Sequence, residues 1–597
     1  MNSDLRHPRE AEDWEVYLMT AASASRPVGA DMNPRWLRSY PENVEWRQTF
    51  TVAPLYSLLD QAVARHAART ATNFLGKTLN YGELGQLVER AAAGLQRLGV
   101  RKGTKVGLFL PNSPTFIVYY FAVLKAGGIV VNFNPLYTVD ELAFQIKDSE
   151  TELMVTLDLK LLFDKVEALL TEGVLHRAIV VPFTSLLPGA KSVLFRLFKG
   201  KELAHPNASA MRERITLEGQ VLTDHGPRMP VPIDPENDIA VLQYTGGTTG
   251  TPKGAMLTHA NAYINVLQVT AWAPDLKDGE ERVMGVLPFF HVFAMTVVMN
   301  FGVAKAAEIV IMPRFVLDDA LKLINQTRPT VMPGVPTLYN AIMNHAKIRN
   351  YDLSSLKFCL SGGAPLPVEV KQKFEALTGC KVVEGYGLSE TSPVATCNPI
   401  EGKVKPGSIG LPLPATFISL RDIDDPDKEV PDGEKGEVCI KGPQVMKGYW
   451  KRPAETAAVF TSDGFLRTGD VARMDVDGFF AIEDRIKDLI ICSGYNVYPR
   501  QIEERIYEHP AVEEVTVIGI KDDYRGEAPK AFVKLKSGAM ATADDIMAHL
   551  EKSLSKLELP VAIEFRDSLP KTMIGKLSKK ELKQEEAARQ AALNKTG

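Results

Sequence analysis

The chain is poor in cysteine: five in 597 residues, at Cys359, Cys380, Cys397, Cys439 and Cys492. None forms a CxxC pair and no histidine cluster stands beside them. That argues against a disulfide frame or a zinc site, and for free thiols in a reducing compartment. No uninterrupted apolar run approaches the roughly 20 residues of a membrane span. The nearest candidate, Val292 to Ile311, is broken by Asn300, Lys305 and Glu308. The first residues carry Asp4, Arg6, Glu10, Glu12 and Asp13 without an apolar h-region, so no secretory signal is read. A net charge of only −4 gives no reason to expect a nucleic-acid partner. The expectation is a cytoplasmic protein, with contact at the cytoplasmic membrane face left open.

What is present is the composition of a globular chain, 45% hydrophobic and 24% charged. Its length is too great for one ordinary core. Residues 1–50 are polar and proline-dotted and read as a poorly ordered or peripheral arm. Beyond them, helical patterns (Tyr81 to Leu98, Pro114 to Lys125, Val139 to Ser149) alternate with short apolar strands (Lys105 to Leu110, Gly128 to Phe133). Such alternation predicts α/β architecture with largely parallel sheets. After about Gly407 short strands between turns replace it, at Ile418 to Leu420, Gly436 to Lys441 and Phe479 to Ile482. The acidic run Asp422, Asp424, Asp425 and Asp427 reads as a solvated turn rather than a metal loop. A smaller unit spans 487–597, with strands at Val512 to Ile518 and Ala531 to Leu535 and a helix from Ala543 capped by Thr542. The tail after Leu577 reads as a solvated helix or fraying end.

The most informative stretch runs from Tyr244 to Gly254: Thr245, Gly246, Gly247, Thr248, Thr249, Gly250, Thr251, Pro252, Lys253. It follows the apolar strand Ile239 to Leu242. The glycines let successive N–H groups converge on an anion, and the threonine hydroxyls and Lys253 add donors and charge. A turn without a ligand would not need so many hydroxyls and a lysine. It is not a Walker A loop, which places lysine directly after glycine and before Ser or Thr.

This segment closely resembles the phosphate loop of the adenylate-forming superfamily: acyl-CoA synthetases, luciferases and peptide synthetase adenylation domains. Further motifs occur in the same order. Gly385-Tyr386-Gly387-Leu388-Ser389-Glu390-Thr391, preceded by the expected nucleotide-site residue Glu384, is similar to the family's second core motif, and Leu360-Ser361-Gly362-Gly363-Ala364-Pro365-Leu366 to the other wall of its adenine site. Thr468-Gly469-Asp470 matches its ribose-binding aspartate, and Arg485 also falls on a nucleotide contact. From Asp463 to Glu503 the chain resembles the fatty acyl-CoA synthetase signature, with Arg485, Gly494 and Glu503 nine residues apart and Phe465 where tryptophan is usual. Pro570 to Lys576 matches the C-terminal catalytic loop.

The resemblance implies a large α/β N-terminal domain (51–486) with a β-barrel-like part, and a small mobile α+β C-terminal domain (487–597). It implies ATP, Mg²⁺ and coenzyme A as reactants and cofactor, a fatty acid as substrate, and a homodimer. It assigns Tyr386 to adenine, Asp470 to ribose, and Thr245 and Glu390 to Mg²⁺. Lys253 and Lys576 become catalytic, Lys487 the hinge, and Gly494 and Tyr495 part of a pantetheine tunnel. His291, in Leu287 to Phe293, falls beside the acyl carbonyl. A lone histidine among aromatics is equally a packed core residue, and both readings stay open here. The nearest rival functions are an aryl or other carboxylic acid–CoA ligase and an acyl-AMP ligase that loads a carrier protein. A luciferase-type oxidase and a non-catalytic nucleotide binder stand further off; the latter should lack Lys576 or Glu390.

One segment falls outside these motifs. Lys191 to Lys201 reads Lys-Ser-Val-Leu-Phe-Arg-Leu-Phe-Lys-Gly-Lys. As a helix it gathers Val193, Leu194, Leu197 and Phe198 on one face. Either that face packs on its own domain, or it meets anionic lipid, where each nearby basic residue contributes ~1 kcal/mol.

Overall fold

In the computed structural model of the chain the described residues are 34–223, 226–245, 252–493, 495–522, 524–572 and 577–596. A seven-stranded sheet forms the first layer. Its order is Ile215–Leu217, Arg177–Val181, Leu153–Leu157, Lys105–Leu108, Ile129–Asn132, Ile239–Thr245, Lys253–Thr258. All neighbours are parallel except the last pair. Its helices start where side chains can satisfy the first N–H groups. Asn80 and Glu83 form a capping box for Tyr81–Arg97, and Thr138 and Glu141 form one for Val139–Ser149. Ser113 caps Pro114–Lys125, and all twelve residues of that helix are buried. The buried Lys125 ammonium is held by Asp60 and Glu89.

A second sheet, Arg282–Gly285, Glu308–Ile311, Thr70–Phe74 and Lys77–Asn80, is parallel but for its last strand. Beside it lie Phe358–Ser361, Lys381–Gly387, Val394–Cys397 and Leu411–Pro412. The texture change after Gly407 is an antiparallel meander, Phe417–Arg421, Lys435–Lys441, Leu466–Met474 and Phe480–Arg485. The acidic run next to it is a turn: the Asp424 and Asp425 N–H groups donate to Asp422 Oδ1 at 2.9 and 3.0 Å. The C-terminal sheet has its own core, from Ile490 through Val517 and Val533 to Leu550. All five cysteines are buried thiols.

Two expectations are corrected. From Pro34 on, the supposed arm is part of the main core. Trp36 and Trp46 are buried edge to face, 5.6 Å between ring centroids, and Trp46 lies 4.8 Å from Phe417. Two tryptophans bury too much apolar area to leave in solvent. The tail is also docked. Its helix Lys579–Thr596 buries Leu582 against Ile518, Phe532 and Leu569, and Glu586 meets the buried Lys530 at 2.6 Å.

Candidate active site

Thr245 and Lys253 end two adjacent strands and face each other in register. Gly246, Gly247, Thr248, Thr249 and Gly250, the expected phosphate nest, lie outside the described residues. Lys253 is paired with Glu455, and its ammonium stands 5.4 Å from the Tyr449 ring. The segment carrying Tyr449 runs along the second strand. The Met256 N–H donates to the Gly448 carbonyl (2.9 Å) and the Trp450 N–H to the Gly254 carbonyl (2.8 Å). Tyr449 donates its hydroxyl to Glu390 Oε1 at 2.7 Å. Glu390 and Ser389 sit on the short turn Ser389–Thr391, which packs on both strands. Tyr449 thus touches both the lysine and the carboxylate of the expected phosphate site. Neither Tyr449 nor Glu455 was found from the motifs; the only signal was an aromatic pair after Gly448 in a loop. Thr245 and Glu390 offer hard oxygens, which suit Mg²⁺, an ion that takes its remaining ligands from water and substrate phosphate.

A second cluster lies where the meander meets Lys381–Gly387. Asp470 and Arg485 are cross-strand partners. Arg485 Nε donates to Asp470 Oδ1 at 2.5 Å, and the Tyr386 hydroxyl donates to Asp470 Oδ2 at 2.6 Å. Burial and then Asp470 push the Tyr386 phenol well up. Burial alone would lower the Arg485 guanidinium, but Asp470 outweighs it and holds it above its usual value. A carboxylate has about four acceptor directions, so Asp470 can receive a sugar hydroxyl while it is held. We expect Asp470→Asn to raise the KM for ATP about 10- to 100-fold, the loss of a charged hydrogen bond worth roughly 1.5–3 kcal/mol. Pyrophosphate exchange against ATP concentration measures it; an unchanged KM would remove Asp470 from the nucleotide site.

Glycines in the motifs answer to close packing as well as to any ligand. A Cβ on Gly387 would lie 1.7 Å from the Pro393 carbonyl oxygen, and one on Gly362 would lie 2.8 Å from the Phe293 ring. Gly363, beside Ala364, has φ +81°, which a side chain would strain. Gly385 pairs with Cys397 in the sheet. Glu384 is buried, and the Leu366 N–H donates to its Oε1 at 3.2 Å, tying this strand to the Ser361–Leu366 turn. Burial pushes its carboxyl up to about 7. The unfolded chain ionises this group near 4.5, so stability is lost as pH rises from there to about 7. Glu384→Gln keeps the acceptor and removes the ionisation. It should stabilise the protein by ~2 kcal/mol more at about pH 8 than at about pH 5.5 in urea melts. An equal effect at both pH values would contradict the buried-acid account.

His291 is partly exposed rather than a core residue. It caps Val292–Ala294, its Nδ1 accepting the Phe293 N–H at 3.2 Å, and Phe293 abuts Gly362. Behind Leu360 lies an entirely apolar cavity lined by Val269, Trp272, Val297, Phe301 and Val383.

The expected hinge lies among charges. Lys487 is exposed on the turn Ile486–Asp488, where partial desolvation and then Arg485 lower its ammonium. Asp484 accepts the Arg500 N–H at 2.8 Å, and Asp488 meets Lys583 at 2.9 Å. Lys579, in the tail expected to be a solvated helix or fraying end, instead lies 3.0 Å from Glu503. Burial alone would lower its ammonium, but Glu503, Asp484 and Asp488 hold it above the usual lysine range. Gly494 and Lys576 lie outside the described residues. Their flanks are set. The Ser493 N–H donates to the Arg525 carbonyl at 2.7 Å, Tyr495 is exposed, and the Ser578 N–H donates to the Pro570 carbonyl at 2.8 Å.

Known proteins resemble this chain over most of its length. A family model described as AMP-binding enzyme matches residues 59–450, and one described as AMP-binding enzyme C-terminal domain matches 501–576. A long-chain-fatty-acid–CoA ligase of Bacillus subtilis (strain 168) is 45% identical over 552 residues, 92% of this chain and 98% of that protein. A long-chain-fatty-acid–CoA ligase of Escherichia coli O6:H1 is 37% identical, covering 93% of this chain and 98% of that protein. Among solved structures, ATP-bound MatB from Rhodopseudomonas palustris superposes with a TM-score of 0.76 at 28% identity, over 90% of this chain and 99% of that one.

Proposed function

This chain belongs to the AMP-binding enzyme family, and on that premise we propose that it is an ATP-dependent fatty acid–CoA ligase acting on medium to long acyl chains. The observation that carries the reading is the end-to-end likeness to long-chain-fatty-acid–CoA ligases, which includes the segment beyond Lys487.

The reaction joins two anions, the fatty carboxylate and ATP. Attack at the α-phosphorus needs the repulsion lowered and the line of displacement held. Tyr386, Asp470 and Arg485 hold the nucleoside end. Lys253 exchanges Glu455 for the polyphosphate, and the threonines of 245–251 donate to it. Glu390 and Thr245 would hold Mg²⁺, which would supply charge neutralisation at the phosphates. Lys576 bridges the reacting carboxylate and the nucleotide, and His291 lies by the acyl carbonyl. The carboxylate oxygen bonds to phosphorus, pyrophosphate departs, and an acyl-adenylate remains. The segment after Lys487 then turns, and Gly494 and Tyr495 border the path of the CoA thiol. Sulfur bonds to the acyl carbon, AMP leaves, and the thiol proton passes to solvent.

The fatty acid partitions into bilayers, so the reading extends to peripheral contact with the cytoplasmic face of a membrane. The resemblance adds a homodimer. The rival that loads a carrier protein is separated by one assay, thioester formation with free CoA against a phosphopantetheinylated carrier. We expect product with CoA; product on the carrier alone would replace this reading.

A further inference from the structure

The helix Gly189–Lys199 buries none of its eleven residues. Val193, Leu194, Leu197 and Phe198 are 58%, 51%, 72% and 82% exposed. A surface helix ordinarily turns such a stripe inward. Here the opposite sides hold the helix down. Phe195 packs on Phe183 with ring centroids 5.0 Å apart, and the Arg196 guanidinium donates to Thr184 Oγ1 at 3.0 and 3.3 Å. Lys191 Nζ donates to the Leu75 carbonyl at 2.7 Å. The apolar face is therefore presented outward by an anchored helix, and the packed-helix reading of this segment is corrected.

The surroundings of that face are basic. No acidic residue occurs from Phe183 to Lys201, whereas Lys191, Arg196, Lys199 and Lys201 do. Lys77 reaches the same corner, donating to the Ser185 carbonyl at 2.5 Å. The first carboxylate beyond, Glu202, sits 3.3 Å from Lys199 and neutralises part of this charge. Large apolar side chains ringed by lysine and arginine fit one kind of partner, a bilayer with anionic headgroups.

We propose that Gly189–Lys199 docks the enzyme on anionic lipid, with Leu197 and Phe198 entering the acyl boundary and Lys199 and Lys201 meeting lipid phosphate. This deepens the membrane contact in the functional reading and rests on it. The test is co-sedimentation of the full chain with vesicles of phosphatidylcholine alone or mixed with phosphatidylglycerol. At low salt the wild type should pellet with the anionic vesicles. Leu197→Glu/Phe198→Glu and Lys199→Glu/Lys201→Glu should each bind them at least about tenfold more weakly. Both variants should keep wild-type AMP release in vesicle-free buffer. Wild-type protein that ignores anionic vesicles, or variants that bind as well as wild type, overturns the proposal. So does a wild-type dimer that Leu197→Glu/Phe198→Glu converts to monomer without any vesicle binding, which would make a second copy the occupant. Loss of AMP release in the wild type would instead overturn the functional reading.

Discussion

Replacing Lys576 by alanine should stop formation of the acyl-adenylate and spare its transfer to CoA. In the first half-reaction two anions meet, and a cation placed between carboxylate and nucleotide acts where charge develops. Losing one such donor costs about 100- to 1,000-fold in rate. In the second half-reaction a thiol attacks a carbonyl that is already activated, and the lysine has no comparable role. Pyrophosphate exchange should therefore fall by that factor, while single-turnover transfer from synthetic acyl-adenylate stays near wild type. Equal loss in both would show that Lys576 has another task. Lys579 makes a useful contrast. Its ammonium is tied to Glu503 and lies near Asp484 and Asp488. Lys579→Ala should lower thermal stability rather than divide the half-reactions.

The second large effect has the opposite pattern. Gly494→Leu should leave pyrophosphate exchange intact and lower thioester formation by about a hundredfold or more, the scale on which a displaced reactant slows a reaction. Gly494 follows Ser493, which has φ +52° and is tied to Arg525, between the paired strands Ile490–Cys492 and Tyr495–Val497. On the proposed tunnel assignment a leucine there would obstruct the pantetheine arm, a path that adenylation does not use. Normal CoA turnover in this variant would remove the tunnel assignment.

Lys576 and Gly494 were assigned from contiguous motifs, and the roles given to them are what these two experiments test. The helix Pro114–Lys125 was legible in the sequence, since its apolar run and its cap are local signals. Contacts between distant segments were not. Tyr449 reaches Glu390 across 59 residues, and Glu455 reaches Lys253 from a different element. Trp36 and Trp46 lie in a polar, proline-dotted stretch, and only the meander strands they cover explain their burial. Lys579 belongs to a run of lysines, and nothing local separates it from Lys580. For Lys191 to Lys201, periodicity gave the apolar face, but a periodic pattern carries no information on whether another element covers it.

On the proposed function this chain couples fatty acid activation to CoA. The most direct measurement is AMP release from ATP over fatty acids of increasing length, with and without CoA. We predict sustained release only when fatty acid and CoA are both present, one acyl-CoA formed per AMP, and higher kcat/KM for medium and long chains than for acetate. Release of ADP in place of AMP, or turnover indifferent to CoA, would contradict it.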